Sequence, residues 1–515
     1  MFVNQSNMIP HSMKNMPQKT ILLLIILLVG ILPACTSSVT PPPQAEQASP
    51  VPSQTAVEKA IGPVKTLVAE ALATPQVEPT LVPVEKPVSG AQQLDPNLNP
   101  QDTTIVFWHA MPEEQIMPII DEFNKSNEWG IKVKTVNKGG NSSLSENLKN
   151  AMIAKDTPQV VLAFADQAAR WKMYGGVKNL SPFVDDPKWG LSADEQKDFL
   201  PLAWENGMVD NERLALPVQI VGNYLFYNQT WAKEMGFNAA PETPEQFQEQ
   251  ACAANQYMKK DADVKNDFAG GWILNATPHV MIAWLRAFGG DIVSLSNENV
   301  LNSKYTFDSK EHEDAFFFLR RLLEKKCAWD MSIVPATEGY PDEEFVKRRT
   351  LVVSGSLIDL PYQTMAFIEG NNKDAWTLIP YPSSVGKPVV NAQIPSFVLI
   401  QGTPQQELAG WLFMRWMTSS ATQVRWSLLS GLFPTRISAR DAMKDYGIAH
   451  PQWAAGLELL KDAQAEPVLP SWENVRWGLQ DAGTQLFRSY FTLERVPLTL
   501  QELDRSAQDM IEMGK

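Results

Sequence analysis

The sequence is poor in the residues that build metal and nucleophile sites. It holds three cysteines and five histidines in 515 residues. His11, His109, His279, His312 and His450 are isolated, and no Cys or His pair has ligand spacing, so no zinc site is expected. Gly139-Gly140-Asn141 lacks the lysine that a phosphate-cradling loop needs. There is no Gly-x-Ser-x-Gly elbow, and Val353-Ser-Gly-Ser356 is too loose to stand in for one. Basic charge is short too: 44 Lys and Arg face 58 Asp and Glu, a formal net charge of −14. That balance argues against nucleic acid as a partner, because phosphate binding needs a basic face. The long apolar run, Ile21–Leu32, spans about a dozen residues where a membrane-crossing helix needs about 20.

What is present begins with an export signal. Residues 1 to 19 carry Lys14 and Lys19 and no acid, and the apolar run follows, which is the layout of a secretory signal. Leu32-Pro33-Ala34-Cys35 resembles the lipobox of bacterial lipoproteins, which implies lipidation of Cys35 and a mature chain that starts there. The alternative is an ordinary secreted protein with an incidental cysteine. Residues 36 to 102 are rich in Pro, Ala and Thr and contain no aromatic residue. Such composition cannot bury enough apolar surface to offset its ordering entropy, so it reads as an extended tether. Cys252 and Cys327 remain, and two thiols in an exported protein more often pair than stay free. A disulfide between them is expected.

From residue 103 onward strands and helices alternate. Thr104–His109, Ile131–Val136 and Val160–Phe164 read as strands, with helices over Glu113–Ser126 and Leu144–Ala154. This predicts a mainly parallel sheet in the first part, with ligand positions beyond the carboxyl ends of its strands. The stretch from Leu216 to Phe237 then organises the chain. Pro217 ends one element, Val218 to Tyr227 reads as a strand, and Asn228 caps a short helix that stops at Gly236. A strand that leaves one lobe and enters another makes a hinge with a cleft beside it. Further helices are expected over Thr243–Lys259, Val280–Phe288, Asp308–Lys326 and Pro404–Met417. Strands are expected over Leu351–Ser356, Trp376–Tyr381 and Ser396–Ile400, with a tight turn at Gly431–Pro434 and two closing helices.

The order of these motifs resembles the bacterial extracellular solute-binding proteins of ABC importers, in their sugar-binding branch. The pieces are Ile105-Val-Phe-Trp-His109, Phe164 to Leu180, Leu216-Pro-Val with Tyr224-Leu-Phe-Tyr-Asn228, Met235-Gly-Phe237 with Pro241-Glu-Thr-Pro-Glu-Gln-Phe247, Phe288-Gly-Gly-Asp291 with Thr306-Phe-Asp308, Trp411 to Met417, and Ser430-Gly-Leu-Phe-Pro434. The resemblance implies an α/β, two-lobed periplasmic-binding-protein-like fold of type II, with mixed sheets flanked by helices and a ligand cleft between the lobes. It places lobe one at 103–217 plus 393–434 and lobe two at 218–392 plus 435–515. It implies a monomeric lipoprotein that captures a sugar or polyol outside the membrane, without cofactor, metal or enzymatic activity. The ligand then passes to a permease and, through it, to ATPase subunits. Two positions depart from the family pattern: Pro158-Gln159 stands where Pro-Asp is common, and Ser354-Gly-Ser356 where many sugar binders carry an aromatic residue.

Sugar recognition needs flat aromatic faces and polar groups in fixed directions. Trp108, Phe164, Trp272 and Phe433 are the candidate faces; His109, Asn141, Ser142, Asp166, Gln219, Asn275, Ser356 and Gln393 are the candidate polar contacts. A bare Trp272 beside Gly270-Gly271 reads either as a ligand approach or as a plain bulge. Arg436 and Arg476 are available for a phosphorylated ligand. The rival readings are a secreted glycoside hydrolase and a carbohydrate-binding adhesin. The hydrolase needs two carboxylates facing each other across the bond, and Glu113-Glu114 and Asp342-Glu343-Glu344 read instead as solvated helix starts.

Overall fold

The computed structural model describes residues 94–296, 299–331 and 340–513. The signal segment, Cys35 and the tether up to residue 93 lie outside them. Leu94 and Leu98, which composition assigns to the tether, pack against the first hydrophobic core, so the folded body begins before residue 103. Among the described residues no helix is long and apolar enough to cross a membrane.

The first part runs β1 (Thr104–His109), α1 (Glu113–Ser126), β2 (Lys132–Asn137), α2 (Asn141–Ala154), β3 (Val160–Ala163), α3 (Ala165–Lys172) and β4 (Leu216–Pro217). The second runs β5 (Gln219–Asn228), α4 (Pro244–Met258), β6 (Trp272–Ile273), α5 (Pro278–Ala287), α6 (Lys310–Glu324), β7 (Ala328–Trp329), β8 (Val352–Ser356), β9 (Trp376–Ile379) and β10 (Val390–Gln393). The chain then continues through β11 (Ser396–Leu399), α7 (Pro404–Met417), α8 (Ser420–Ser430), β12 (Phe433–Pro434), β13 (Ala463–Ala465), α9 (Trp472–Leu486) and α10 (Val496–Glu512). Five helices follow Pro434, not two; the additional three are Ile437–Ala442, Lys444–Ala449 and Pro451–Leu459.

Two sheets result. One has the order β2-β1-β3-β11-β4, and the other contains β7-β6-β8-β5-β10-β13 with β9 and β12 also joined to β5. The first sheet is mixed where a mainly parallel one was expected. Its β1 pairs with β2 and β3 in parallel, but β11 is antiparallel to β3 and β4. β11 reaches this sheet from β10 of the other one through Ile394-Pro395 and runs against β3.

Local chemistry accounts for the ends of the helices. Thr243 Oγ1 and Thr403 Oγ1 each accept the backbone N–H of a glutamine three residues on, Gln246 and Gln406, and both helices open on proline. Asn228 Oδ1 accepts from Trp231 N as expected. Gln159, at the position where the family pattern has Asp, ties the entry of β3 to β1: its side-chain oxygen accepts from Val106 N at 2.8 Å. Two core clusters form, and the second also takes in Val161, Ala163 and Val398 from the first sheet. Ile105, Phe107, Phe123, Phe397, Trp411 and Phe413 fill the first; Phe247, Trp272, Trp284, Phe316 and Trp472 fill the second. The second core is stapled by a disulfide between Cys252 on α4 and Cys327 just before β7, with Cα atoms 4.1 Å apart.

Candidate functional site

The chain passes between the sheets three times, and the passages lie side by side. Only Val218 separates β4 of one sheet from β5 of the other. The turn Ile394-Pro395 joins β10 to β11, and Gln393 stands opposite Val221. Gly431, at φ +74°, ends α8 and sets up β12, where Phe433 and Pro434 pair with Ile220 and Gln219. Gln219 Nε2 donates to Ser430 Oγ at 2.7 Å and fastens the first passage to the third.

Beside these passages lies a small cleft, about 20 Å³ in volume. The carboxyl end of β3, the middle strand of the first sheet, contributes Phe164, Ala165 and Asp166, and the β10–β11 passage contributes Ala392, Gln393 and Ile394. Asn206, Glu466, Pro467, Val468 and Arg476 complete the lining. Phe164 N donates to Gln167 Oε1 at 3.1 Å, which opens α3 and sets Asp166 in its first turn.

The charges here are unevenly satisfied. Glu466 accepts from Asn391 Nδ2 at 3.0 Å and from Trp472 Nε1 at 3.0 Å, and Arg476 Nη1 lies 3.7 Å from its Oε2. Asn391 in turn accepts from Arg286 Nη1 at 2.9 Å. Asp166, by contrast, accepts no hydrogen bond from another side chain among the described residues, although it is 8% exposed. Burial pushes its carboxyl up to about 7; Arg476 pulls the other way, while Glu473 and Glu466 add to the rise. Burial lowers His279 and so favours its neutral form, against the pull of Glu466 and Asp359. A buried carboxylate with no side-chain donor is costly. Ligand hydroxyl or amino groups that reached Asp166 would supply the missing donors.

The expected contacts divide. Phe164, Asp166 and Gln393 come together at the cleft, and Arg476 joins them. Trp108 is half-buried, with Lys138 Nζ 3.5 Å from its ring centre. Asn141 and Ser142 are exposed at the start of α2. Others belong elsewhere. His109 is fully buried on the face of β1 shared with Ile105 and Phe107, its ring 5.4 Å from that of Phe107. Successive strand residues point to opposite faces, so His109 and Trp108 cannot both face the same space. Trp272 is fully buried among Phe247, Trp284 and Phe487 and donates its Nε1 to Ser354 Oγ, so it does not pair with Trp108 as a recognition surface. Phe433 packs on Trp453 in the core.

Gln219 is buried in the passage bond already described. Asn275 accepts from Thr277 N and Oγ1 ahead of α5. The Ser356 hydroxyl is already given to Asp359 Oδ2 at 2.7 Å, which removes it as a free donor for a polyol or phosphate. Arg436 is held by Thr418, Glu195 and Asp198 and does not line the cleft. Of the acids read as solvated, Glu113 and Glu114 are exposed, but Glu344 is fully buried and paired with Lys347 and Arg349. Asn206 and Glu466 carry no local signal that marks them for the cleft. Among the described residues no group of His, Cys, Asp and Glu is arranged to hold a metal ion.

Comparison with known proteins agrees with this layout. Residues 118–459 match the sequence profile described as bacterial extracellular solute-binding protein. The fold is similar to that of the sugar-binding protein MalE from Xanthomonas citri, at TM-score 0.65 and 18% identity over 80% of this chain and 98% of that one. It is similar to the cyclic alpha-maltosyl-1,6-maltose binding protein of Arthrobacter globiformis, at 0.64 and 15% over 79% and 99%. It is also similar to UgpB from Mycobacterium tuberculosis, crystallised with glycerophosphocholine, at 0.63 and 17% over 80% and 98%. No curated protein matches the chain by sequence.

Proposed function

The chain belongs to the bacterial extracellular solute-binding proteins, and from that premise we propose that it captures a sugar or related polyol for an ABC importer. Lobe one, 103–217 plus 393–434, and lobe two, 218–392 plus 435–515, close on the ligand by bending at the three passages, a motion for which binding proteins of this kind are the standing example. The observation that carries the reading is the convergence of Phe164, Asp166, Gln393 and Arg476 on one cleft between the sheets. Phe164 offers a flat apolar face, and the others offer donors and acceptors fixed in direction, the combination a hydroxylated ring requires.

Charge favours a neutral ligand over a phosphorylated one. Arg476 is the cation on the cleft wall, and it stands 3.7 Å from Glu466 with Asp166 nearby. A phosphate placed there would meet two carboxylates for one guanidinium. The ligand leaves chemically unchanged, and a permease with its ATPase subunits receives it. The chain acts as a monomer, held at the outer face of the cytoplasmic membrane by lipidated Cys35 and the tether. The family match weighs against the glycoside hydrolase and the adhesin.

A thermal-unfolding panel of maltose, cyclic maltosides, monosaccharides, polyols, glycerol 3-phosphate and glycerophosphocholine tests the ligand class. A compound that binds the folded state raises the midpoint, and the neutral sugars are expected to do so. Stabilisation by glycerol 3-phosphate alone would reverse the charge argument. Recovery of a cleaved sugar would restore the hydrolase. Membrane fractionation of the Cys35→Ala variant tests the anchor, with loss from the membrane fraction as the expected result.

A further inference from the structure

Glu473 sits on α9, which packs mainly against α5 and α10 of the second lobe and also touches α3 of the first. Its carboxylate nevertheless receives three donors from the first lobe. Ser145 Oγ on α2 donates at 2.8 Å, Gln167 Nε2 on α3 at 3.1 Å, and Arg170 Nη1 on α3 at 2.9 Å. The side chains of Arg170 and Glu473 are 24% and 14% exposed, and Ser145 is buried. This is not a solvated surface pair, which would contribute little. It is a largely desolvated, charge-assisted set in which one acceptor satisfies three donors.

Its position matters as much as its strength. Asp166, in the first turn of α3, lines the small cleft already described. Arg170, one turn later, lines a second cavity of about 270 Å³ together with Met173, Tyr174, Leu301 and Met513. The segment after β13 does the same: Glu466 to Val468 face the first space and Leu469 to Ser471 the second. Glu473 bonds to α3 at Gln167 and Arg170, between the two.

We infer that Glu473, through Arg170, Gln167 and Ser145, is a positioning residue: a cross-lobe clamp that holds the lobes together without ligand and bounds the ligand cleft at the α3 end. Breaking it frees the lobes to part and joins the two cavities. The inference rests on the closure expected of a solute-binding protein and not on the sugar reading, so a failed sugar screen leaves it standing.

The test is an inter-lobe distance measured without ligand. Spin labels are attached at Tyr174 and Met513, exposed residues that line the second cavity from opposite lobes, with Cys35 replaced by serine so that only the introduced thiols react. The parent chain is expected to give one dominant short distance. Glu473→Ala and, separately, Arg170→Met are expected to move the distribution to longer distances while circular dichroism stays unchanged. The exchanged pair Arg170→Glu with Glu473→Arg is expected to return it toward the short value. A Glu473→Ala distribution that overlays the parent's, or a parent chain that is already open, overturns the clamp. If Glu473→Ala fails to fold, Arg170→Met and the exchanged pair decide the matter alone.

Discussion

A β-carbon on Gly271 would stand 1.7 Å from the carbonyl oxygen of Cys327 and 2.7 Å from that of Ala251. The glycine is there for a close approach of backbones, and not for a ligand. It lets the chain enter β6 against the strand that carries one half of the disulfide, where Trp272 N donates to Cys327 O at 3.1 Å. Its φ of +56° is also a conformation that side chains with a β-carbon rarely adopt. Gly271→Ala is therefore expected to be more damaging than Gly236→Ala. Gly236 also has positive φ, but nothing lies within 4 Å of its missing β-carbon. Chemical denaturation of the two variants checks this; equal losses would remove the close-packing account.

The disulfide closes a loop with a sequence separation of 75 residues. Loop closure of that length restrains the unfolded chain by about 4 kcal/mol. Cys252→Ser with Cys327→Ser is expected to lower unfolding stability by up to that amount with little change in ligand affinity, since both sulfurs lie in the core of lobe two. Thiol titration of the oxidised protein under denaturing conditions should find neither sulfur free.

Asp166 links stability to pH. Its carboxyl is raised from an ordinary 3.8 to about 7 in the folded chain, so the folded state holds a proton that the unfolded state releases. The stability this contributes is fully present below 3.8 and is lost as pH rises through 7, a change of at most ~4 kcal/mol across that interval. Asp166→Asn cannot ionise. Relative to the parent, this variant is expected to gain unfolding midpoint between pH 5 and pH 9. A parent-minus-variant difference that stays flat over that range contradicts the burial of a carboxyl with no side-chain donor.

Trp108 and Trp272, both candidate faces by sequence, are expected to behave differently. Trp272→Ala leaves a large void in a packed aromatic cluster and is expected to cost 3–5 kcal/mol. Trp108→Ala, at a half-buried edge position, is expected to cost far less stability. Paired denaturation curves settle the order.

Much of this architecture was legible because its signals are local. The apolar spacing Ile116, Ile119, Ile120 and Phe123 marks α1 to its ends, and the Thr-Pro starts at 243 and 403 mark α4 and α7. The site was only partly legible. Phe164, Asp166 and Gln393 were found because they stand at strand ends or passages. His109 was misplaced even though period two puts it opposite Trp108. Trp272 was misread because a glycine pair before an aromatic signals close approach without saying by what. Glu466 and Glu473 lie some 300 residues from Asp166 in the chain, and charge at such a distance becomes meaningful only once α9 is packed beside α3.

The most direct test of the central claim is calorimetric titration of the parent chain and Asp166→Asn with the sugar that most raises the parent's unfolding midpoint. The parent is expected to bind it one to one and release it intact, and the variant to bind at least tenfold more weakly. Equal affinity in the two proteins, or binding to neither, would place recognition outside this cleft.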